Sequence, residues 1–392
     1  MANKRIYFAN QQVAFRRDAG TTYTPAHGVQ SVAVTTTFNL EQAFELGQLA
    51  IYENIEGVPD IEVSMSKVLD GYPLLYHLAT DQATASEQTP TLAGRSNAKC
   101  LVAVGIWPDT HDAAGDSANN PSQQMEASGL FCSAVTYNFP LEDNFSEDLT
   151  LVGNDKGWVD MDTTTQFEGC TNPPWTPSLA TGWFSGNNDG PITTGAIGGV
   201  NRRENMAFAS DTHQLTGAAG IDYCQLPNEV PGVDSNGWTN PQSGTDAKIQ
   251  SITVSTDLGR EELFELGTRQ PYARVVTFPV EVTCDIEVIS LSGDLINAFS
   301  DGCGDNSKAC TGIVDNLTNQ TIRLATCEGT RIFLGNKNKL ASVNYGGGDA
   351  GGGNVSITYS YTTFNDMTVM HPQDPNASGA TWWTNRENYL KV

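Results

Sequence analysis

Catalytic and metal-binding chemistry needs particular residue types at particular spacings, and most of the familiar arrangements are missing here. The eight cysteines (Cys100, Cys132, Cys170, Cys224, Cys284, Cys303, Cys310 and Cys327) form no C-x-x-C pair and have no histidine pair beside them. Four zinc ligands at finger-like spacing therefore cannot be assembled locally. Cys303 and Cys310 lie in a Gly/Asp-rich stretch where a disulfide could form or not, and the cysteines as a set read as free or buried thiols of a reducing compartment. Asp109, His111, Asp112 and Asp116 have the flavour of a calcium loop but lack the terminal Glu and the Asp/Asn alternation of an EF-hand. The glycine run at 346–353 is followed by no Lys-Ser and no helix, so it is no phosphate loop. No G-x-S-x-G elbow is present. The five histidines (His27, His77, His111, His213, His371) are scattered, and His77 sits in an apolar segment as a packed ring would. A glycosidase-type carboxylate pair stays open because acidic residues are abundant, with Trp158, Trp175, Trp183 and Trp238 available to stack on sugars. The expectation is a protein that is not an enzyme and needs no cofactor or metal.

The elements that would carry any site are strands. Thirty-eight glycines and many Thr-rich alternating runs favour β structure with frequent turns. The expected fold class is all-β with short helices: two related β-barrel or β-sandwich domains plus a loop-rich insertion. Forty-five acidic against 21 basic residues give a net charge of −24, the wrong sign for gripping nucleic acid through its phosphates. No apolar run approaches the roughly 18 residues of a membrane span, and the basic N-terminal residues Lys4, Arg5, Arg16 and Arg17 have no apolar stretch behind them. Neither a membrane partner nor a secretory leader is expected.

The chain repeats itself. Residues 30–47 (QSVAVTTTFNLEQAFELG) and 250–267 (QSITVSTDLGREELFELG) match without gaps at an offset of 220, with nine of eighteen positions identical. Unrelated segments of this composition would share about one. The identities include Gln30/Gln250, Phe44/Phe264, Glu45/Glu265, Leu46/Leu266 and Gly47/Gly267. In each copy alternating Val32 and Val34, or Ile252 and Val254, predict a half-buried strand. A short helix is expected next, capped by Asn39 with Gln42 in capping-box fashion, and by Gly259 with Glu262 in the second copy. Gly47 and Gly267 would close it in a left-handed conformation, with Phe44 and Phe264 either on the domain's own core or preserving a packing contact between domains.

Fainter echoes follow. Strands at 61–65 and 280–284, helix-like segments at 71–79 and 293–299, and strands at 100–107 and 331–334 are paired in this reading. Terminal hairpins are expected from 135–139 with 148–152, and from 357–361 with 366–370. The domains are placed at 1–160 and 246–392. Residues 161–245, dense in Gly, Pro, Asn and Trp, read as an insertion or connecting arm.

Acidity is uneven. Between Lys99 and Lys156 there are nine acidic and no basic residues, and residues 18–94 hold ten acidic residues against Lys67 alone. Such a surface serves solubility, or it lines a wall that a polyanion must slide past.

The run FNLEQAFELGQLAIYENIEGVPDIEVSMSKVLDGYPLLYHLAT (38–80) resembles the N-terminal half of tail tube proteins of tailed bacteriophages. The stretch YNFPLEDNFSEDLTLVGNDKGW (137–158) resembles their long hairpin, and 202–267 resembles the second half of such a protein. The resemblance covers most of the chain except 161–200. It implies a virion protein, made and assembled in the host bacterial cytoplasm. Copies would form stacked rings around an acidic lumen that phage DNA crosses without specific binding. A duplicated tube domain implies three chains per ring with pseudo-sixfold symmetry. The implied partners are further copies of itself, tape-measure, tail terminator and baseplate proteins, with or without a sheath. On this reading Glu142, Asp143, Glu147 and Asp148 line the lumen or sit at a hairpin tip against the next ring. The loops 47–60 and 267–279 are then the ring-to-ring contacts. A carbohydrate-binding or adhesion module, or another phage structural protein of capsid or baseplate, is the alternative.

Overall fold

The computed structural model describes residues 6–17, 23–47, 49–80, 92–107, 121–160, 199–208, 224–231, 233, 248–289, 293, 294, 296, 317–346 and 353–371. Among these the chain is all-β with two five-residue helices. In order the elements are β1 (Gln11–Arg17), β2 (Thr24–Pro25), β3 (Val29–Thr37), β4 (Leu40–Ala43), β5 (Glu53–Glu56), β6 (Asp60–Val68), α1 (Leu75–Ala79), α2 (Leu92–Ser96), β7 (Cys100–Ile106), β8 (Gln123–Pro140), β9 (Ser146–Gly153) and β10 (Asp155–Asp160). The second half adds β11 (Lys248–Asp257), β12 (Arg260–Leu263), β13 (Ala273–Val276), β14 (Glu281–Ile289), β15 (Arg323–Ala325), β16 (Arg331–Phe333), β17 (Lys339–Gly346), β18 (Ser356–Phe364) and β19 (Thr368–Met370).

Eight of these strands form one continuous antiparallel ladder, β3-β6-β9-β8-β11-β14-β18-β17. Their sequences alternate β-branched or aromatic residues with Ser, Thr and acids, as a pleated strand with one wet face requires. The buried pattern of β14 shows the period directly, with Val282, Cys284, Ile286 and Val288 inward and Thr283, Asp285 and Glu287 outward. β8 is 18 residues long and serves two sheets. Its first half pairs with β7 and β10, its second half with β9 and β11. The change of sheet falls at Gly129, whose φ of 62° and register irregularity let the strand bend as a bulge does. The upper sheet, β2-β1-β7-β8-β10, packs over the ladder, and one apolar cluster takes Phe15, Val102 and Met125 from one layer and Val63, Leu149 and Val254 from the other. The same cluster runs on through Ile286, Tyr361, Leu324 and Ile332, so the core is continuous across both halves.

The pairing repeats from one half to the other. The order β3-β6-β9-β8 is matched by β11-β14-β18-β17, with bulges at 29/31 and 249/251 and at 132/134 and 340/342. The smaller sheet β15-β16-β19 occupies the place that β7, the start of β8 and β10 hold in the first half. This corrects two expectations. Residues 100–107 correspond to β15 rather than to 331–334. The strands at 357–361 and 366–370 do not pair with each other: β18 pairs with β14 and β17, while β19 joins β16. The true counterpart of the β8–β9 hairpin is β17–β18. Both slips have one cause, since strands that alternate with period two look alike and only their partners distinguish them.

The short helices expected after β3 and β11 are absent. Each segment is instead a hairpin, β4 with β5 and β12 with β13. A strand partner about a dozen residues downstream satisfies the backbone that a one-turn helix would leave largely unpaired. Asn39 clasps the hairpin base, donating to Val58 O and Asp60 Oδ2 at 2.9 Å each. Gly47 and Gly267 do take the left-handed conformation (φ 96° and 95°), but at hairpin tips. Of the helix-like segments, 71–79 holds α1, whereas most of 293–299 lies outside the described residues.

Buried Glu147 holds α1 on the ladder. Its carboxylate accepts from Leu75 N at 2.6 Å, Tyr76 N at 3.0 Å and the Tyr137 hydroxyl at 3.0 Å. Opposite it in the register is fully buried Lys67, which donates to His27 O at 2.7 Å and to Asp70 at 2.5 Å. The second half has Ile357 and Val288 at the equivalent pair of positions, also facing one another. Burial pushes the Glu147 carboxyl above the usual carboxylate range against the pull of its N–H donors and Lys67. The folded chain thus holds a proton that the unfolded chain releases, so this group's contribution to stability falls as pH rises from about 4.3. Glu147→Ile should cost about 3 kcal/mol in urea unfolding, because two buried N–H groups lose their acceptor. Glu147→Gln should remove the pH dependence: the stability of the natural chain relative to this variant should decline as pH rises above the ordinary carboxylate range.

Candidate assembly interface

The ladder has one face in the core and one open. On the open face stand Thr35, Ser64, Thr136, Asn138, Thr150, Thr253, Ser255, Thr283, Thr358, Ser360 and Asn344, all small and polar. Glu62, Asp148, Asp285 and Glu287 are acids of the same face, with Asp257 and Glu281 at the ends of β11 and β14, while Lys248 and Lys339 also sit at strand ends. Neighbours on this face satisfy one another: Asn138 donates to Asp148 at 2.8 Å, Ser251 to Glu287 at 3.1 Å, and Ser255 meets Thr283 at 2.7 Å. The result is a smooth hydroxyl surface of negative potential.

The four acids singled out from the sequence therefore part company. Asp148 is on the open face, Glu142 and Asp143 are exposed at the tip of the β8–β9 turn, and Glu147 is buried in the core. The expectation of a lumen or tip position fails for Glu147 because its side chain alternates to the opposite face from Asp148. Glu62, Asp285 and Glu287 were missed, although strict alternation in β6 and β14 was the signal that could have placed them.

The repeated motif divides similarly. Gln30 and Gln250 make the same local bond, each donating to the carbonyl two residues back, of Gly28 (3.2 Å) and Lys248 (3.0 Å). Phe44, Glu45, Leu46 and Gly47, like Phe264, Glu265, Leu266 and Gly267, lie on exposed hairpin tips. Phe44 and Phe264 are 66% and 56% exposed, so they do not pack on the domain's own core. Identical apolar side chains kept outside in both copies point to a contact outside the chain.

The halves meet where β8 pairs with β11, from Ala134 opposite Asp257 to Pro140 opposite Ser251. Arginines of the second hairpin pin this junction. Arg260 donates to Cys132 O at 2.7 Å and Asn97 Oδ1 at 3.1 Å, and lies 5.3 Å over the Phe131 ring. Arg274, with a side chain only 8% exposed, bridges Glu262, Asp60 (3.3 Å) and Asn154 (3.1 Å). Arg269 reaches Glu56 O and Gly57 O at the base of the first hairpin. Leu258 is fully buried there and donates to Ser133 O at 2.8 Å.

Among the described residues no group of three or more His, Cys, Asp or Glu is placed to hold a metal. Cys100, Cys132, Cys224 and Cys284 are buried thiols among the described residues, Cys327 is a half-buried one, and burial pushes the Cys132 and Cys224 thiols up to about 12. The calcium-like segment at 109–116, the cysteines 170, 303 and 310 and three of the four tryptophans considered for sugar stacking lie outside the described residues; Trp158 is on β10, 41% exposed.

The class these features define is an all-β protein with two like-ordered halves in one sheet, a wet acidic face and exposed apolar hairpins. No family model matches the chain, and no curated protein does. Among solved structures, it aligns with the cap of the anti-feeding prophage, the AFP tube terminating cap, at 12% identity and TM-score 0.29, over 41% of this chain and 94% of that one. It also aligns with a chain of the PVC sheath-tube complex of an extracellular contractile injection system in the extended state, at 12% identity and TM-score 0.28, over 40% and 93%. A chain of the six-fold symmetrised anti-feeding prophage baseplate gives 9% identity and TM-score 0.26, over 40% and 97%.

The Arg274 cluster gives a direct test of the junction. Arg274→Met should destabilise the chain by about 3 kcal/mol in urea unfolding, since it strands Glu262 beside Asp60, and the loss should persist in high salt because the guanidinium is buried.

Proposed function

We propose that this chain is a non-enzymatic, structural subunit of a phage-tail-like tube: copies close head to tail into rings of three chains and six like modules, and the rings stack around an acidic lumen through which a genome is ejected. The observation that carries this reading is the continuous eight-stranded ladder, wet and acidic on one face, with β3 and β17 each paired on one side alone among the described residues. An open sheet edge is a template for another strand, and closure of the sheet is the general way to remove it. The two ends of the ladder are different strands, so their union is a heterologous contact, which yields a ring when the rotation closes.

The dimensions suit a conduit. Twenty-four strands spaced about 4.8 Å apart and tilted about 40° enclose a barrel roughly 48 Å across at the backbone, wide enough for a double helix inside its side chains. Glu62, Asp148, Asp285 and Glu287 would face that space among Ser and Thr. A wall of this kind, with Lys248 and Lys339 confined to strand ends and outnumbered by acids, opposes adsorption of a polyanion. The exposed tips with Phe44, Leu46, Phe264 and Leu266 would meet the adjacent ring, alongside Glu142 and Asp143.

End-on electron microscopy of the purified full chain at neutral pH tests the reading. Rings of threefold symmetry with six similar lobes around an open centre are expected. Compact particles without an opening, or monomers at every concentration, would overturn it. A second expectation concerns the wall: with Glu62, Asp148, Asp285 and Glu287 all changed to Lys, assembled rings should retain duplex DNA on a filter at low salt and lose it steeply as salt rises, whereas natural rings should not retain it.

A further inference from the structure

The junction between β8 and β11 has a counterpart that one chain alone does not form. We propose that β17 of one copy pairs antiparallel with β3 of the next in the register of β8 with β11, and that this seam between copies is held by apolar side chains where the seam within the chain is held by arginines. The proposal deepens the ring reading above and rests on it.

The register follows from the matched ladders. Bulge for bulge, residues 131–138 of β8 correspond to 339–346 of β17, and β11 corresponds to β3 at the offset of 220. Within the chain Val254 faces Tyr137, Ser255 faces Thr136 and Thr256 faces Val135. Between copies Val34 then faces Tyr345, Thr35 faces Asn344 and Thr36 faces Val343.

Exposure at the two edges fits an interface that has been left open. Tyr137 is fully buried, but its counterpart Tyr345 is 56% exposed. Leu258 is fully buried, but its counterpart Phe38 is 69% exposed. Val254 and Ile252 are buried, while Val34 and Val32 are only half-buried. A second copy docked in this register would bring each of these residues to the burial its counterpart already has.

The pins change character at the same positions. Arg260 corresponds to Leu40 (62% exposed) and Arg269 to Leu49 (fully exposed), while Asn154 corresponds to Phe364 (56% exposed). Arg274 corresponds to Asn54. Leu40 and Leu49 thus stand on the β3 side, and Phe364 on the β17 side, where the in-chain junction has guanidinium groups and the acceptor Asn154. Exposed apolar residues on both complementary edges mark a partner surface, and the partner that fits both is a second copy.

Disulfide trapping tests the register. Thr35 and Asn344 are exposed on the open face, so a Thr35→Cys, Asn344→Cys double variant leaves the core alone. Under mild oxidation it should give covalent chains of subunits, with the bond between positions 35 and 344 identified by mass spectrometry. The single variants should not, and neither should Thr35→Cys paired with Ser342→Cys, which is two residues out of register. Phe38→Asp and Phe364→Asp should each raise the concentration needed for assembly by at least about tenfold without shifting monomer unfolding, and added salt should weaken natural assembly little. Rings that form yet cross-link only in the shifted pair, or not at all, would overturn the register while leaving the ring reading intact. Rings indifferent to both Asp variants would overturn the apolar seam. A chain that never assembles would overturn both proposals.

Discussion

Everything distinctive about this protein depends on the backbone ladder between β8 and β11. Without it each half would be a four-stranded sheet with two open edges and its own small core. With it, hydrogen bonds and the alternation of side chains run unbroken across the fusion, so Tyr137 and Val254 are buried against each other's strands and the apolar cluster becomes common to both halves. The ladder also imposes a handed, repeating relation between one module and the next. That relation is a property of the fold, present before any second molecule is considered.

Alternation then sorts the chemistry. Because successive residues of a strand point to opposite faces, a single residue's shift decides whether a carboxylate meets water or the core. Asp148 and Glu147 are neighbours in sequence and opposites in environment: one is bonded to Asn138 on the open face, the other is buried under α1. The strongly negative composition is therefore not spread evenly over the surface. Part of it is laid along one face of hydroxyl-bearing strands, and part, like Glu147 and the buried Glu126 and Glu328, is inside, where burial raises the carboxyl above its usual range.

The sequence made some of this legible and hid the rest for identifiable reasons. The gapless match of 30–47 with 250–267, together with strand alternation in β3, β6, β11 and β14, disclosed the all-β class and the repeated strands. It failed where local signals competed with distant partners. Asn39 and Gln42 look like a capping box, yet residues 53–56 supply a strand that takes the backbone of Leu40–Ala43 into a hairpin. The similarity of 135–139 to 357–361 led to the wrong hairpin, since strands of the same period are interchangeable in sequence and are told apart by pairing. The offset drifts from 220 at β3 to 208 at β8 because intervening loops differ in length, which a search for one constant offset cannot follow. The junction arginines carried no motif at all: Arg260 and Arg274 are recognisable only once Cys132, Asn154 and Asp60 are brought beside them.

Covalent linkage of the two halves would explain why the proposed seam between copies should differ in chemistry from the seam within the chain. Within a chain the linker holds the partners at high effective concentration, so the β8–β11 contact does not bear the full entropic cost of association. Such a seam can be built around charged and hydrogen-bonded groups whose main effect is to fix geometry, as Arg274 does between Glu262, Asp60 and Asn154. A contact between separate chains must offset lost translational and rotational freedom, and apolar burial is the interaction best able to supply that surplus. The replacement of Arg260, Arg269 and Asn154 by Leu40, Leu49 and Phe364 follows that division. The hazard of carrying exposed apolar edges is limited on this reading, since each edge is short, its neighbours are Thr, Ser and Asn, and the proposed register covers it with the opposite edge of another copy. In the proposed ring of three chains, three such seams between molecules would suffice rather than six, and the arginine-pinned seams would set the angle at which the others meet.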